Sequence, residues 1–395
     1  MDKELEEKLA VYKAGLSEAE IEKLVADTRE LEAYQESEDA PENMEKIPVL
    51  NRTDITEEIA PVYNKEMEVD GVQLVHHEVE TNGIGYATLM FDLSGVSEEL
   101  LPYTGILQSV LGIIDTSHYE YGALFNEINM HTGGIGTSLE LYPDVTKAKE
   151  KEFRATFEIK GKALYPQMKI LFAMMREILM ESRLDDEKRL KEILAMLKSR
   201  LQMSFQSSGH TTSALRALSY GSPLSKFKDD TDGIGFYEVV RGIEFSDSSW
   251  VTDQISGIAF YGLIEQLEKH FEEKKAELIQ NLKQLSRQIF RVDNVMISYT
   301  SSEDGLTPIE AAFREIKDTL YPELDGEEIP CVLHGRKRNE GFKTSSKVQY
   351  VARVGNFIDH GAQYHGALQI LKVILSYDYL WQNVRVKGGA YGCMS

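Results

Sequence analysis

The chain has 395 residues, 42% hydrophobic and 27% charged, enough for ordinary cores in two or three domains. Its 65 acidic residues against 43 Lys and Arg leave a net charge of −22, which argues against nucleic acid or an anionic membrane as partner. No apolar run nears the roughly 20 residues a bilayer requires, and the acidic start lacks a signal-peptide core. Cys331 and Cys393 stand apart with no CxxC spacing, so neither a disulfide nor a cysteine zinc site is expected, and a reducing, cytoplasmic setting is the default.

In chain order, Asp2 to Tyr34 reads as two helices broken at Gly15, with Ser17 and Glu20 spaced as a capping box for the second. Such a helical hairpin must pack on, or link, larger bodies. An acidic stretch with Pro41 and Pro48 follows as an extended linker. Strands are predicted at Tyr63–Val69, Gly71–Glu78 and Gly85–Leu93, with turns at Asp70-Gly71 and Asn82-Gly83. Helices are predicted at about Pro102–Ile114 and Tyr121–Thr132, a strand at Phe153–Lys160, and helices at Leu164–Glu181 and Asp185–Gln206. Residues 207–247 resemble surface loops with short helices. A long charged helix over about 258–290, a strand at Val292–Tyr299 and a helix at Pro308–Leu320 complete the unit. Strands paired with long helices suggest an α+β fold, a two-layer sandwich.

A polar linker then leads to an extended segment, Val348–Val354, and an amphipathic helix on which Leu368, Leu371, Leu375 and Tyr379 recur at helical spacing. The helix is expected to stop near Gly388-Gly389. The same layout occurs earlier: an extended segment at 86–93, a helix through Gly105-Ile106-Leu107-Gln108, then Gly133-Gly134. Strand, Gly-x-Leu-Gln helix and Gly-Gly turn recur in one order, which suggests two related domains. The second is expected to be cut short, because Ser395 follows its turn so closely.

Chemistry is sparse. Arg385 and Tyr391 flank the second glycine turn, and a rigid guanidinium fork beside a phenol suits a carbonyl or carboxylate; a snorkelling Arg and a packed Tyr would look the same. In His76-His77-Glu78 the two histidines point to opposite faces of a strand, so only one could share a site with Glu78, and a partly exposed strand is expected. His131, His360 and His365 could be ligands, but HExxH and HxxEH are both absent. Asp144, Asp185 and Asp186 suit solvated faces or helix caps. Gly133-Gly134-Ile135-Gly136 reads as a loop without the Lys-Ser/Thr of a phosphate loop. Met168, Met174, Met175 and Met180 read as core filler.

Taken together, Leu16-Ser17-Glu18-Ala19-Glu20-Ile21 with Tyr34-Gln35 and Ile47-Pro48, the doubled layout, and Arg385-Val386-Lys387-Gly388-Gly389-Ala390-Tyr391-Gly392 resemble the presequence protease branch of the pitrilysin/insulysin zinc metallopeptidases. Members of that family have two similar halves, each of two α+β domains, joined by a helical hairpin around a chamber. The resemblance covers essentially the whole chain. It implies a hairpin and linker at 1–51, a non-catalytic third domain at 52–325, a linker at 326–343, and the opening of a fourth domain at 344–395.

The resemblance also implies a division of labour. The family's zinc ligands and general base come from HxxEH in a first domain that this chain lacks, so zinc is expected in the intact enzyme and not here. The related helix falls at Thr104-Gly105-Ile106-Leu107-Gln108, where Thr104, Leu107 and Gln108 would replace His, Glu and His. Arg385 and Tyr391 match the pair that reaches the substrate backbone near the scissile bond, and so become the substrate-binding residues. Peptide substrates and an N-terminal half of the same protein are the implied partners, with no nucleic acid or membrane, and the chain alone is expected to be inactive. The same fold also serves non-catalytic subunits and scaffolds, which is the alternative expectation.

Overall fold

The computed structural model describes residues 2–37, 40–49, 51–56, 63–97, 99–147, 152–231, 271–323 and 348–395, with residues 58 and 61. Cys331, the predicted linker beyond residue 323, and the parts of predicted elements at 232–247 and 258–270 lie outside the described residues. The chain divides into two compact units, Met1–Pro61 and Val62–Ser395.

The first unit begins with two helices joined by a short turn. Helix α1 spans Asp2–Ala14 and α2 Glu18–Glu36. The Ser17 side chain accepts from the Glu20 amide, while the Glu20 carboxylate accepts from the Ser17 amide at 2.8 Å. Each bond satisfies an amide that a helix start would otherwise leave without a partner. A short turn of helix, α3 (Pro41–Met44), follows.

The second unit is built on one six-stranded sheet: β1 (Asn64–Val69), β2 (Val72–Glu78), β3 (Ile84–Asp92), β4 (Ile135–Pro143), β5 (Phe153–Leu164) and β6 (Val295–Ser301). The order is β1-β2-β6-β3-β5-β4, antiparallel except for the parallel pair β2/β6. Val69 pairs with Val72 across the two-residue turn Asp70-Gly71, where both residues have positive φ, as a tight hairpin turn requires. Alternate residues of β3 (Ala87, Leu89, Phe91) are buried while Tyr86, Thr88 and Met90 are not, so this strand has one core face and one open face.

Helices cover the core face: α4 (Leu101–Val110), α5 (Tyr121–His131), α6 (Met168–Met180), α7 (Glu187–Ser207), α8 (Gly209–Ser219), α9 (Pro223–Thr231), α10 (Phe271–Ile289) and α11 (Thr307–Lys317). Phe290, just past α10, meets Phe91 of β3 and Phe157 of β5 edge-on, each at 5.2 Å, tying helix layer to sheet. Met168, Met174 and Met175 are buried in this core, with Met180 packed against it. The architecture is the expected two-layer α+β sandwich.

Three local expectations are corrected. Ile135 and Gly136, read as part of a loop, open a strand that runs to Pro143, in which Ile135, Leu139 and Leu141 alternate onto the core. The strand predicted at Phe153–Lys160 runs on to Leu164 to match β3 along its length, pairing Leu164 with Ile84. The next helix therefore starts at Met168; Pro166, which lacks an amide hydrogen and restrains Tyr165 before it, sits in the turn between. Finally, Val348–Val354, expected to be extended, forms no strand and pairs with none among the described residues.

Candidate functional site

Helix α12 (Ala367–Ile374) opens after His365, whose Nδ1 accepts from the Ala367 amide at 3.1 Å. It continues as a wider π-helix, Leu375–Val386, in which the Lys387 amide reaches back five residues to the Gln382 carbonyl at 3.0 Å. Two glycines end it. A β-carbon on Gly388 would stand 2.5 Å from the Val384 carbonyl oxygen, and Gly389 has φ +71°. With that geometry the Gly389 and Ala390 amides donate to the Arg385 and Val384 carbonyls at 2.9 and 3.1 Å.

Arg385 and Tyr391 thus flank a helix stop. The guanidinium lies 4.0 Å over the Trp381 ring, a cation–π contact that steadies a cation while leaving its N–H groups toward solvent. Tyr391 is 91% exposed. Such an exposed cation and phenol can donate to a carbonyl or carboxylate brought to them.

On α4, where the resemblance sets Thr104, Leu107 and Gln108 in place of metal ligands, the side chains do not fit a metal. Leu107 is wholly buried and carries no ligand atom. The Thr104 hydroxyl donates to the Leu101 carbonyl at 2.6 Å. Gln108 Nε2 donates to the Thr137 carbonyl at 3.0 Å, and the Thr137 hydroxyl donates back to the Gln108 carbonyl at 3.0 Å, which stitches α4 to β4.

The other histidines have separate surroundings. Strand β2 is partly exposed, as expected, with His77 and Glu78 half-buried, while His76 itself is fully buried. Its Nε2 lies 3.1 Å from the Ser301 carbonyl and 3.0 Å from the Ser301 hydroxyl, and its ring stacks on Tyr299. Burial holds the His76 pKa below its usual value. His77 faces the other way, with Asn64 at 2.6 Å and Ser298 at 3.0 Å. His131 pairs with Glu127 one turn earlier at 3.5 Å.

Asp186 caps α7 through the Arg189 amide at 2.9 Å, Asp185 pairs with Lys283 at 2.7 Å, and Asp144 holds a turn through Thr146. An open hollow of about 730 Å³ brings Glu78, Glu80, Glu303 and Asp304 together near the start of α11. Glu78 pairs there with Lys65, and the Asp304 carboxylate accepts from the Ser302 hydroxyl at 2.6 Å. Among the described residues no three His, Cys, Asp or Glu side chains are grouped to hold a metal ion.

Sequence reasoning missed one polar cluster. Glu158, 1% exposed on β5, accepts from the Tyr142 hydroxyl at 2.6 Å and the Thr156 hydroxyl at 2.8 Å, and lies 3.0 Å from the Lys160 ammonium. Burial and the adjacent carboxylate push the Tyr142 pKa well up, so its hydroxyl stays a donor. The alternation Thr156/Glu158/Lys160 is the available signal, and Tyr142 joins it only through the register that sets β4 beside β5.

The chain matches the family model described as Peptidase M-16C associated over residues 1–243, and that of the PreP C-terminal domain over residues 339–395. Protein HypA of Clostridium perfringens is 34% identical over 393 residues, covering 99% of this chain and 37% of HypA. Presequence protease 1, chloroplastic/mitochondrial, of Arabidopsis thaliana is 26% identical, over 98% of this chain and 34% of that protein. Presequence protease, mitochondrial, of Drosophila melanogaster is 24% identical, over 95% and 34% respectively. The chain therefore spans about a third of the length of these relatives. Two of the names place their proteins in organelles and lend nothing to a cytoplasmic setting; among the described residues no helix is long and apolar enough to cross a membrane.

Proposed function

The chain belongs to the Peptidase M-16C associated family, and from that premise we propose that it is the C-terminal, non-zinc-binding part of a zinc metallo-endopeptidase that degrades unfolded peptides. Residues 1–51 form the hairpin that joins it to an N-terminal half, residues 52–325 a chamber-wall domain, and residues 344–395 the opening of a further α+β domain. The N-terminal half would hold the zinc, which would there supply Lewis-acid activation of water. The part played by this chain is to hold the peptide. Arg385 and Tyr391 donate to its backbone near the scissile bond, where fixed donors stabilise negative charge developing on the carbonyl oxygen. The observation that supports this most directly is their exposure on either side of the Gly388-Gly389 stop. The acidic chain favours peptide over nucleic acid as the occupant.

The test is hydrolysis of a quenched fluorescent peptide by this chain, alone and mixed with a separately made N-terminal half, with zinc assayed in both. The expected result is no zinc and no turnover alone, with turnover restored on mixing. Zinc and turnover in the chain alone would overturn the reading. In the restored enzyme, Arg385→Ala or Tyr391→Phe is expected to lower kcat by roughly 10- to 1,000-fold with zinc retained. Unchanged kcat would remove both residues from the clamp.

A further inference from the structure

Helix α8 begins at Gly209, a buried residue whose bare face is covered by the ring of Tyr350 from the extended segment. A β-carbon at position 209 would stand 2.5 Å from Cδ2, 2.6 Å from Cε2 and 3.3 Å from Cγ of that ring. Those distances fall inside the roughly 3.5–4.0 Å separation of carbons in contact, so any side chain there displaces the ring. The His210 ring stands 6.1 Å from that of Tyr350, tilted by 41°, and forms a second wall. Glycine is a weak helix former, and close approach of another part of the chain is one reason to keep it in a helix.

We propose that Gly209 and Tyr350 form a joint: the ring seats on the glycine and fixes where the segment carrying Arg385 and Tyr391 leaves the sheet domain. Both are positioning residues. The joint rests on the contact itself; only its effect on turnover rests on the clamp reading of Arg385 and Tyr391. No residue of 348–395 is buried, so the segment has little packing of its own to hold it in place.

The experiment measures a distance distribution by pulsed electron paramagnetic resonance. Spin labels are carried on Thr211→Cys and Gly355→Cys in the chain with Cys331→Ser and Cys393→Ser. The distribution is expected to be narrow for the parent and at least about twofold broader for Gly209→Val and Tyr350→Ala. Tyr350→Phe is expected to match the parent, because the contact is made by ring carbons and not by the hydroxyl. Equal distributions for parent and Tyr350→Ala would overturn the joint. Should Gly209→Val disturb α8, seen as a shifted thermal transition, Tyr350→Ala decides alone, since it empties the seat without touching the helix. In the enzyme restored with its N-terminal half, Gly209→Val is expected to lower kcat about tenfold or more with zinc retained. A broadened distribution with unchanged kcat would keep the joint and overturn its effect on turnover, while the Arg385 and Tyr391 variants decide the clamp.

Discussion

The chain carries the same local phrase twice, Gly105-Ile106-Leu107-Gln108 and Gly366-Ala367-Leu368-Gln369, with opposite outcomes. In α4, Ile106 and Leu107 are fully buried against the six-stranded sheet. In α12, Leu368 is only partly covered, and Ile370, Leu371, Val373 and Ile374 are 45–66% exposed. Both segments are helical and each is followed, in the first case after the intervening α5, by a Gly-Gly turn whose second glycine has positive φ, +104° at Gly134 and +71° at Gly389. Local pattern is enough to make the helix and the turn. Burial needs a sheet to stand on, and Val348–Val354 has no strand beside it among the described residues. Most helical stability comes from packing an apolar face rather than from propensity.

Substitutions can break this contrast, and the largest effect belongs in the sheet domain. Phe157→Ala, which empties a fully buried site against Phe290, is expected to cost about 3–5 kcal/mol in urea unfolding. A cost under about 1 kcal/mol would mean that the core collapses easily and that the two regions differ less than their burial suggests. A smaller effect is expected at His76. Unfolded, its imidazole takes up a proton near pH 6.5; buried, its pKa is lowered, so below that pH the unfolded state binds more protons and stability falls as the pH drops. Glu78, Lys65 and His77 act on it by charge, the first opposing the shift and the others adding to it. Between about pH 7.5 and 5.5 the parent is expected to lose more unfolding free energy than His76→Phe. Parallel losses would mean that the buried imidazole is protonated without cost. The smallest effect is expected in α12: Ile370→Ser should change stability by no more than about 0.5 kcal/mol. A cost of about 2 kcal/mol or more, the scale of a filled core site, would show that this helix is covered in solution.

Legibility in the sequence follows the range of the interaction. The Ser17/Glu20 cap, the Asp70-Gly71 turn and the buried methionines are written within a few residues, and each is legible there. Strand β4 is not, because it follows a glycine pair that reads as a loop and its polar alternates mask Ile135, Leu139 and Leu141. The burial of His76 depends on β6, where its register partner is Tyr299, and no window around residue 76 contains that fact. The Gly209–Tyr350 contact likewise joins residues that share no local pattern. Arg385 and Tyr391 are legible only as a motif; their surroundings, an indole beneath the guanidinium and open solvent around the phenol, emerge from the helix end that carries them.

The position of β6 has a consequence for the chain as it is made. Among the described residues β1 and β2 form one ribbon, and β3, β5 and β4 another; no strand of the first pairs with a strand of the second, and both are joined only through β6. Residues 64–164 leave the ribosome well before residues 295–301. At roughly 5–20 residues per second, the two ribbons wait on the order of ten seconds for the strand that unites them. Throughout that interval β2 and β3 each present an unpaired edge, the feature that invites pairing with other chains. The order of translation therefore sets how long these two edges stay open, and the arrival of β6 closes both at once.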